Sequence, residues 1–239
     1  MSFKIQNYIT INFNWKSSIY FLLAFVLFTP LGTVSHEAGH YLVAQRYFKK
    51  PTLHYGYVNY GEWKQQPEMD KWYSQHSDSD GQVYEEDIQT LEIYRKKAQR
   101  HGLYSTLAGP SQTILFGTIG FLLLFFNNSD KFKFKNWIAV YLAYFWSREV
   151  FIFLSLVITR LLTEQIPLQS DEVVIAYYLK IPLLLPAAIF GLLGIIVLTY
   201  TTFNKIPIEH RFTFIISGIV GSFIGFILWL RFLGPIIMP

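Results

Sequence analysis

The sequence predicts an all-α polytopic membrane protein with about five transmembrane helices and a small polar insert that contains a short β element. Of the 239 residues, 52% are hydrophobic and only 15% are charged, whereas a soluble domain carries about 25% charged residues. The apolar residues are also grouped in long blocks instead of recurring at a period of two or 3.6. We therefore interpret residues 1–239 as a single membrane domain.

Five apolar blocks reach the length of about 20 residues that crosses the hydrocarbon core of a bilayer. They cover residues 18–45, 103–126, 136–160, 181–203 and 212–233. In the last block, Gly221 and Gly225 have a small-xxx-small spacing, which is typical of closely packed helices. The blocks predict an integral, multi-pass protein, and a cell (plasma) membrane is the expected location. A cleaved secretory signal ending near Ser35 is the weaker alternative, because apolar character resumes directly after it.

The orientation in the membrane stays open at this stage. Lys and Arg near the ends of spans favour the cytoplasmic side, and they occur on both sides of the predicted bundle. One side has Arg46, Lys49, Lys50, Arg95, Lys96, Lys97 and Arg100, and the other has Lys131, Lys133 and Lys135.

Residues 46–102 form the long polar stretch of the chain, and we expect an extramembrane or re-entrant insert there. Thr52 to Tyr60 is rich in β-branched and aromatic residues and is interrupted by Gly56, which predicts a short strand or hairpin. Between Tyr84 and Arg100, acidic residues come first and basic residues last, an order that suits the helix dipole and predicts a solvated surface helix.

Composition also excludes several kinds of site and partner. The chain has no cysteine, so disulfides, thiolate metal ligands and a cysteine nucleophile are excluded. The net charge of +4 indicates loops in contact with anionic lipid rather than nucleic acid, because no basic stripe with interleaved aromatic residues lies on an extramembrane segment. The lipid bilayer is therefore an expected partner, and nucleic acid is not. Oligomeric state is not predicted.

The motif His36-Glu37-Ala38-Gly39-His40 lies inside the first apolar block. Residues four apart lie on one face of a helix, so both imidazoles can bind one metal ion, and Glu37 is placed as a general base. Ionisable groups inside a membrane are costly and are functional candidates, although the same side chains could simply hydrogen-bond to neighbouring helices. Imidazole and carboxylate ligands favour zinc, Zn2+.

This motif within a membrane span resembles the site-2 protease family of intramembrane zinc metalloproteases. The resemblance extends to Ala108-Gly109-Pro110, which opens a later span, and to Thr113, and it covers roughly residues 18–182. It implies a zinc metalloendopeptidase that hydrolyses peptide bonds of membrane-anchored protein substrates, with Glu37 as the catalytic base and with Gly109, Pro110 and Thr113 near the active site. A plain alternative for Pro110 is a proline in the first turn of a helix.

The third metal ligand is less clear from the sequence. The family takes it from an aspartate, usually in a Leu-Asp-Gly context, and this chain has no such motif. The nearest counterpart is Asp171, and the chain returns to the side of the zinc motif just before this residue, after two further crossings. Glu149, Glu172, His54 and His101 remain alternatives, as does a site with no third protein ligand.

Arg148 and Glu149 lie in the middle of the third apolar block. Adjacent residues on a helix do not face each other, so we expect separate partners for them in interhelical pairs. Alternatively, they support the metal site or contact substrate.

Two further questions are left open. The hairpin predicted at 52–60 resembles the family's re-entrant β element, which could pair with an unwound substrate as an added edge strand, or it is an ordinary surface hairpin. The missing Leu-Asp-Gly motif motivates an alternative function, a non-proteolytic membrane protein that binds metal or client helices. A transporter with Arg148 and Glu149 along a polar path is a third hypothesis.

Overall fold

The protein is a bundle of long helices joined by short connections, with one polar segment between the first two spans. The computed structural model describes residues 9–127 and 132–239, so Lys131 of the predicted loop lies outside the described residues. The helices are α1 (Trp15–Tyr47), α2 (Gln66–Gln75), α3 (Ile88–Phe125), α4 (Phe134–Ala143), α5 (Ser147–Thr163), α6 (Asp171–Leu179), α7 (Leu185–Tyr200), α8 (Ile208–Ile227) and α9 (Gly234–Ile237). Short 3-10 turns cover Glu85–Asp87 and Tyr144–Trp146, and π-helical turns cover Thr201–Lys205 and Leu228–Leu233.

Five helical segments are long and apolar enough to cross a membrane, which confirms the predicted fold class of an all-α polytopic membrane protein. They are Trp15–Tyr47, Glu85–Phe125, Phe134–Thr163, Leu185–Lys205 and Ile208–Ile237. Long apolar segments form helices in lipid because only internal hydrogen bonds can satisfy their backbone polar groups. The protein is therefore an integral, multi-pass membrane protein.

Helix α1 packs along α8, and glycines set the distance between them. A Cβ atom added to Gly221 would lie 2.7 Å from the Leu22 carbonyl oxygen, and one added to Gly225 would lie 2.8 Å from Thr29 Oγ1. The small-xxx-small spacing thus marks a close helix–helix contact, as predicted. This contact supports the half of α1 that precedes the histidine motif.

The polar segment begins with a hairpin that directly follows α1. Its strands are β1 (Phe48–Lys49), β2 (Thr52–Leu53), β3 (Val58–Asn59) and β4 (Glu62–Trp63). Strand β1 pairs with β4, and β2 pairs with β3, both antiparallel and in the same register, so the four strands make one interrupted hairpin. The interruption has positive φ at Lys50 (50°) and Gly61 (69°). A hairpin at 52–60 is therefore confirmed.

The tip of this hairpin is held by the end of the last span. Tyr55 donates its backbone N–H to the Met238 carbonyl oxygen at 3.1 Å. The Trp229 indole N–H donates to the Tyr55 carbonyl oxygen at 2.8 Å. The base of the hairpin follows α1, and its tip is bound to the end of the last span. Val58 and Tyr60 of the hairpin line one cavity together with Glu37 and His40.

The helix expected at Tyr84–Arg100 is present and largely exposed, and it runs without a break into the second span. Both belong to α3, one continuous helix of 38 residues. Gly102 lies inside this helix, and the Tyr178 side chain of α6 packs against it so closely that it would collide with an added Cβ atom.

The third span contains a break that the sequence did not predict. The block at 136–160 was expected to be one helix, but the turn Tyr144–Trp146 divides it into α4 and α5. After α5, Glu164 takes a left-handed conformation (φ 58°) that ends the helix. The chain then enters the short helix α6, whose N-cap Ser170 accepts a hydrogen bond from the Val173 N–H at 3.4 Å. This break and return place Arg148 and Asp171 beside α1.

Candidate metal centre

Two histidines of α1 and one aspartate of α6 converge on a single point. His36 and His40 are buried, with 2% and 4% exposed surface, and their Nε2 atoms lie 3.1 Å apart. The Asp171 Oδ2 atom lies 3.0 Å from His36 Nε2 and 3.3 Å from His40 Nε2. Among the described residues, this is the group of histidine and acidic side chains placed to hold a metal ion. The structure therefore brings together the three ligands that the sequence favoured.

The other nitrogen of each imidazole is anchored by helix α3. The His36 Nδ1 atom lies 2.9 Å from Thr113 Oγ1. That hydroxyl group donates to the Gly109 carbonyl oxygen at 3.2 Å, so it accepts from Nδ1–H. His40 donates its Nδ1–H to the Ser105 carbonyl oxygen at 2.7 Å. Both rings are thereby held in the tautomer that leaves the Nε2 lone pair free. Metal-binding histidines usually donate their other ring N–H to a protein acceptor in this way.

The geometry of these three atoms fits zinc. Bonds of about 2.0–2.2 Å in a tetrahedral site separate the ligand atoms by about 3.3 Å, and the observed separations are 3.0, 3.1 and 3.3 Å. Two imidazoles and one carboxylate also form a donor set of the catalytic type, which keeps a fourth position open. Three electron-pair donors at this spacing repel one another unless a proton or a metal cation lies between them.

Two glycines allow α1 and α3 to approach closely enough for this arrangement. A Cβ atom on Gly109 would overlap His40 Nε2 and would lie 2.6 Å from His36 Cε1. A Cβ atom on Gly39 would lie 2.6 Å from the Ala108 carbonyl oxygen. The predicted proximity of Gly109 to the site thus has a steric basis.

Pro110 is buried in the interior of α3, so the expectation that it opens a span or occupies a first helical turn was wrong. Proline in this position provides no N–H for the carbonyl group four residues earlier, that of Thr106. The carbonyl groups of this part of α3 therefore have fewer helical partners than usual, and the carbonyl of the adjacent Ser105 binds His40.

Arg148 links the Asp171 carboxylate to two buried glutamates. Its Nη2 group donates to Asp171 Oδ2 at 3.0 Å, and its Nη1 group donates to Glu149 Oε1 and Glu172 Oε1, both at 3.2 Å. The expectation of separate partners for Arg148 and Glu149 was wrong. Their Cβ atoms do not face each other, but the long arginine side chain extends to the carboxylates that α5 and α6 bring together.

The surroundings of the two histidines contain more carboxyl groups than basic side chains. Among the described residues, Glu37, Glu149, Asp171 and Glu172 supply carboxyl groups there and Arg148 supplies a guanidinium group. Glu149 is 1% exposed and Glu172 is fully buried. The Oε2 atom of each lacks a hydrogen-bond partner among the described residues. Buried excess charge of this kind requires bound protons or a cation.

The Asp171 carboxyl group is held in its charged form. Burial alone would raise its pKa, but when no ion is bound the Nε2 atoms of His36 and His40 can carry protons and donate hydrogen bonds to this carboxylate, and these bonds and the charge of Arg148 keep the pKa well below its usual range. A carboxylate that stays charged at neutral pH is suited to bind a divalent cation.

Glu37 points into a cavity of about 470 Å³ that also borders His40, Asp171 and Arg148. Glu37 is half-buried and does not belong to the group of three ligand atoms. This placement beside the ligands, and not among them, is the one expected of a general base.

Tyr60, in the hairpin, lines the same cavity and was missed in the sequence. Burial and the charges of Asp171 and Glu37 raise its pKa, so its hydroxyl group stays protonated and can donate a hydrogen bond. The β element was predicted, but nothing in its local pattern distinguishes this tyrosine from its neighbours Tyr55 and Tyr57.

The rival ligands lie elsewhere or have other partners. His101 accepts a hydrogen bond from the Trp63 indole N–H at 2.9 Å, and His54 contacts Thr52 Oγ1 at 2.9 Å. Glu149 and Glu172 bind Arg148 and not the histidines.

Comparison with known proteins adds no family to this geometry. The chain matches no protein-family profile, no curated protein and no solved structure. The chemistry of the site must therefore be argued from its own residues.

Proposed function

We propose that the protein is an intramembrane zinc endopeptidase that cleaves membrane-anchored protein substrates, in the manner implied by its resemblance to the site-2 protease family. The observation that carries the proposal is the convergence of His36 Nε2, His40 Nε2 and Asp171 Oδ2 within 3.0–3.3 Å. The anchored Nδ1 atoms add to it, because they orient both lone pairs toward one point. A cell membrane is the proposed location.

His36, His40 and Asp171 would hold the zinc ion. A bound zinc ion supplies Lewis acidity and lowers the pKa of water to about 7. Glu37 accepts the proton of the attacking water and delivers it to the leaving amine. Arg148 holds the Asp171 carboxylate in position, and the Tyr60 hydroxyl group donates a hydrogen bond to the carbonyl oxygen of the substrate as charge develops there.

The hairpin supports a role in positioning the substrate. Gly56, Tyr57, Val58 and Tyr60 line the same cavity as Glu37 and Asp171. A transmembrane helix hides its peptide bonds in internal hydrogen bonds, so a substrate must unwind before Glu37 can act on it. We propose that the unwound segment pairs with the hairpin near Val58 as an added strand.

Metal content is the first test. The purified protein in detergent should retain about one zinc ion per chain, the stoichiometry of a site with three protein ligands. A His36→Ala/His40→Ala double variant should lose it, and Asp171→Ala should weaken zinc retention more than Glu149→Ala. Wild-type protein that binds no zinc would refute the proposal, and the reverse order of the last two variants would reassign the third ligand.

Cleavage is the second test. Glu37→Gln should keep zinc but should no longer cleave a membrane-anchored reporter that the wild type cleaves, because the amide cannot accept the proton. Zinc binding without any cleavage by the wild type would instead favour the non-proteolytic alternative, a protein that binds metal or client helices.

A further inference from the structure

A second cavity, of about 340 Å³, lies on the other side of the metal centre. Its lining surface is mostly apolar, with aromatic rings among hydroxyl-bearing side chains, and comes from α1, α3, the turn before α5, α5 itself and α8. The aromatic residues include Phe25, Phe28, Phe145, Phe151 and Phe226. Along α1 the cavity extends from Phe25 to Glu37, which is roughly 18 Å at about 1.5 Å per residue. We name this space the aromatic cavity, and the space of about 470 Å³ beside the hairpin the polar cavity.

The two cavities meet at the catalytic centre. Glu37, Arg148 and Ile152 line both of them. The polar cavity continues from there toward the hairpin and the residues that precede α6, such as Gln169 and Ser170. The aromatic cavity continues from the same point along the membrane-embedded part of α1. A peptide lying across Glu37 would therefore have a polar environment on one side and an apolar environment on the other.

We propose that the aromatic cavity binds apolar side chains of the substrate on the membrane-embedded side of the scissile bond, while the polar cavity receives the juxtamembrane side. This inference rests on the proposed protease function and specifies its substrate class. The preferred substrates carry large apolar residues on the membrane-embedded side of the scissile bond and polar residues on the juxtamembrane side.

The size of the aromatic cavity indicates what enters it. The cavity offers about 340 Å³, near the lower end of the roughly 300–1,000 Å³ of small-molecule pockets. This space suits a few apolar side chains.

The inner end of the cavity favours a peptide over a lipid acyl chain. Glu37 and Arg148 are charged or polar groups at that end, and a peptide backbone offers them N–H and C=O groups. An acyl chain offers no hydrogen-bonding partner and would leave both groups against hydrocarbon, which is costly.

The absence of cysteine from the chain allows a direct test by disulfide cross-linking. Ser222 of α8 lines the aromatic cavity, whereas Ile219 on the same helix is 66% exposed on the outer surface. Ser222→Cys and Ile219→Cys are made in the Glu37→Gln background. The probe is a synthetic peptide with a Ser/Lys-rich segment followed by a Leu-rich span, in versions that each carry one cysteine. A second pair on α1 is Thr33→Cys in the cavity and Leu31→Cys on the exposed face.

We expect Ser222→Cys to cross-link several-fold more than Ile219→Cys, and only with probe cysteines on the apolar side of the junction. These should lie within about five residues of it, because an extended chain advances about 3.3 Å per residue. Equal cross-linking of both variants, or cross-linking from the polar side, would overturn the inference. A lipid acyl chain in the cavity would exclude the probe and would therefore give equal cross-linking of both variants.

Cleavage of the cysteine-free probe by the wild type distinguishes failure of this inference from failure of the proposed function. Cleavage without preferential cross-linking refutes the aromatic cavity as a substrate site and leaves the protease intact. Preferential cross-linking without cleavage supports the binding site and refutes the protease. In protein that retains Glu37, Ser222→Phe should shift the cleavage preference toward substrates with smaller apolar residues, and Ile219→Phe should leave this preference unchanged.

Discussion

Replacing Gly109 by alanine tests whether the close approach of α1 and α3 builds the metal site. The added Cβ atom would overlap His40 Nε2 and would lie 2.6 Å from His36 Cε1. Ordinary van der Waals contact begins near 3.4 Å, so the His36 ring must move by about 0.8 Å, the difference between these distances. A working zinc site tolerates deviations of only about 0.2 Å in its bonds. The variant should therefore lose at least one ligand.

Gly32→Ala provides the matched control. Gly32 also lies in α1, but a Cβ atom there would meet Phe145 Cε1 at 3.8 Å, which is ordinary contact. Both substitutions add one methyl group to a helix, and both should favour helix formation by about 1 kcal/mol. The two variants therefore differ mainly in whether the methyl group displaces the imidazoles.

Zinc affinity, measured by competition with a fluorescent chelator in detergent, is the decisive assay. We expect Gly109→Ala to weaken zinc binding by at least about 10- to 100-fold, the range seen when the supports of ligands are disturbed. That range corresponds to about 1.4–2.8 kcal/mol. Gly32→Ala should bind zinc as the wild type does. Equal affinity of the two variants would refute the argument that Gly109 makes room for the ligands.

Three further substitutions test the supports of the site. Thr113→Val removes the acceptor of the His36 Nδ1–H and should weaken zinc binding about 10- to 100-fold. The control Thr106→Val loses only a hydroxyl group bonded to the Gly102 carbonyl and should bind zinc as the wild type does. Unchanged affinity in Thr113→Val would contradict the assigned tautomer. Arg148→Gln leaves three carboxylates without their cation and should destabilise the fold by about 3–5 kcal/mol, measured by thermal unfolding of the metal-free protein, with partial rescue by Arg148→Lys. Tyr60→Phe should lower kcat for a cleaved reporter about 100-fold without loss of zinc, as expected for one donor to a developing oxyanion, and an unchanged kcat would remove Tyr60 from the mechanism.

The fold class and the pairing of the two candidate histidine ligands follow from local sequence. Apolar blocks of sufficient length must form helices in a bilayer, and the five predicted spans correspond to the five observed ones. The spacing of His36 and His40 places both rings on one helical face whatever surrounds them. The boundaries were less predictable, because Gly102 and the turn Tyr144–Trp146 depend on contacts with other helices.

The third ligand and its supports depended on tertiary structure. Asp171 is 135 residues from His36, and the sequence left Glu149 and Glu172 as alternatives. What distinguishes the three carboxylates is the packing of α6 against α3, which places Asp171 beside the histidines, whereas Glu149 and Glu172 lie against Arg148.

Helical periodicity is a property of the backbone. The relative positions of the side chains in His36-Glu37-Ala38-Gly39-His40 therefore follow from their spacing in the sequence. The distance between residues far apart in the chain depends on how closely helices pack, and in a membrane small residues at their interfaces largely determine that distance. Gly39 and Gly109 play this part here. The sequence by itself therefore determined the spans and the two imidazoles, and only the packing of α1, α3 and α6 decided which carboxylate completes the site.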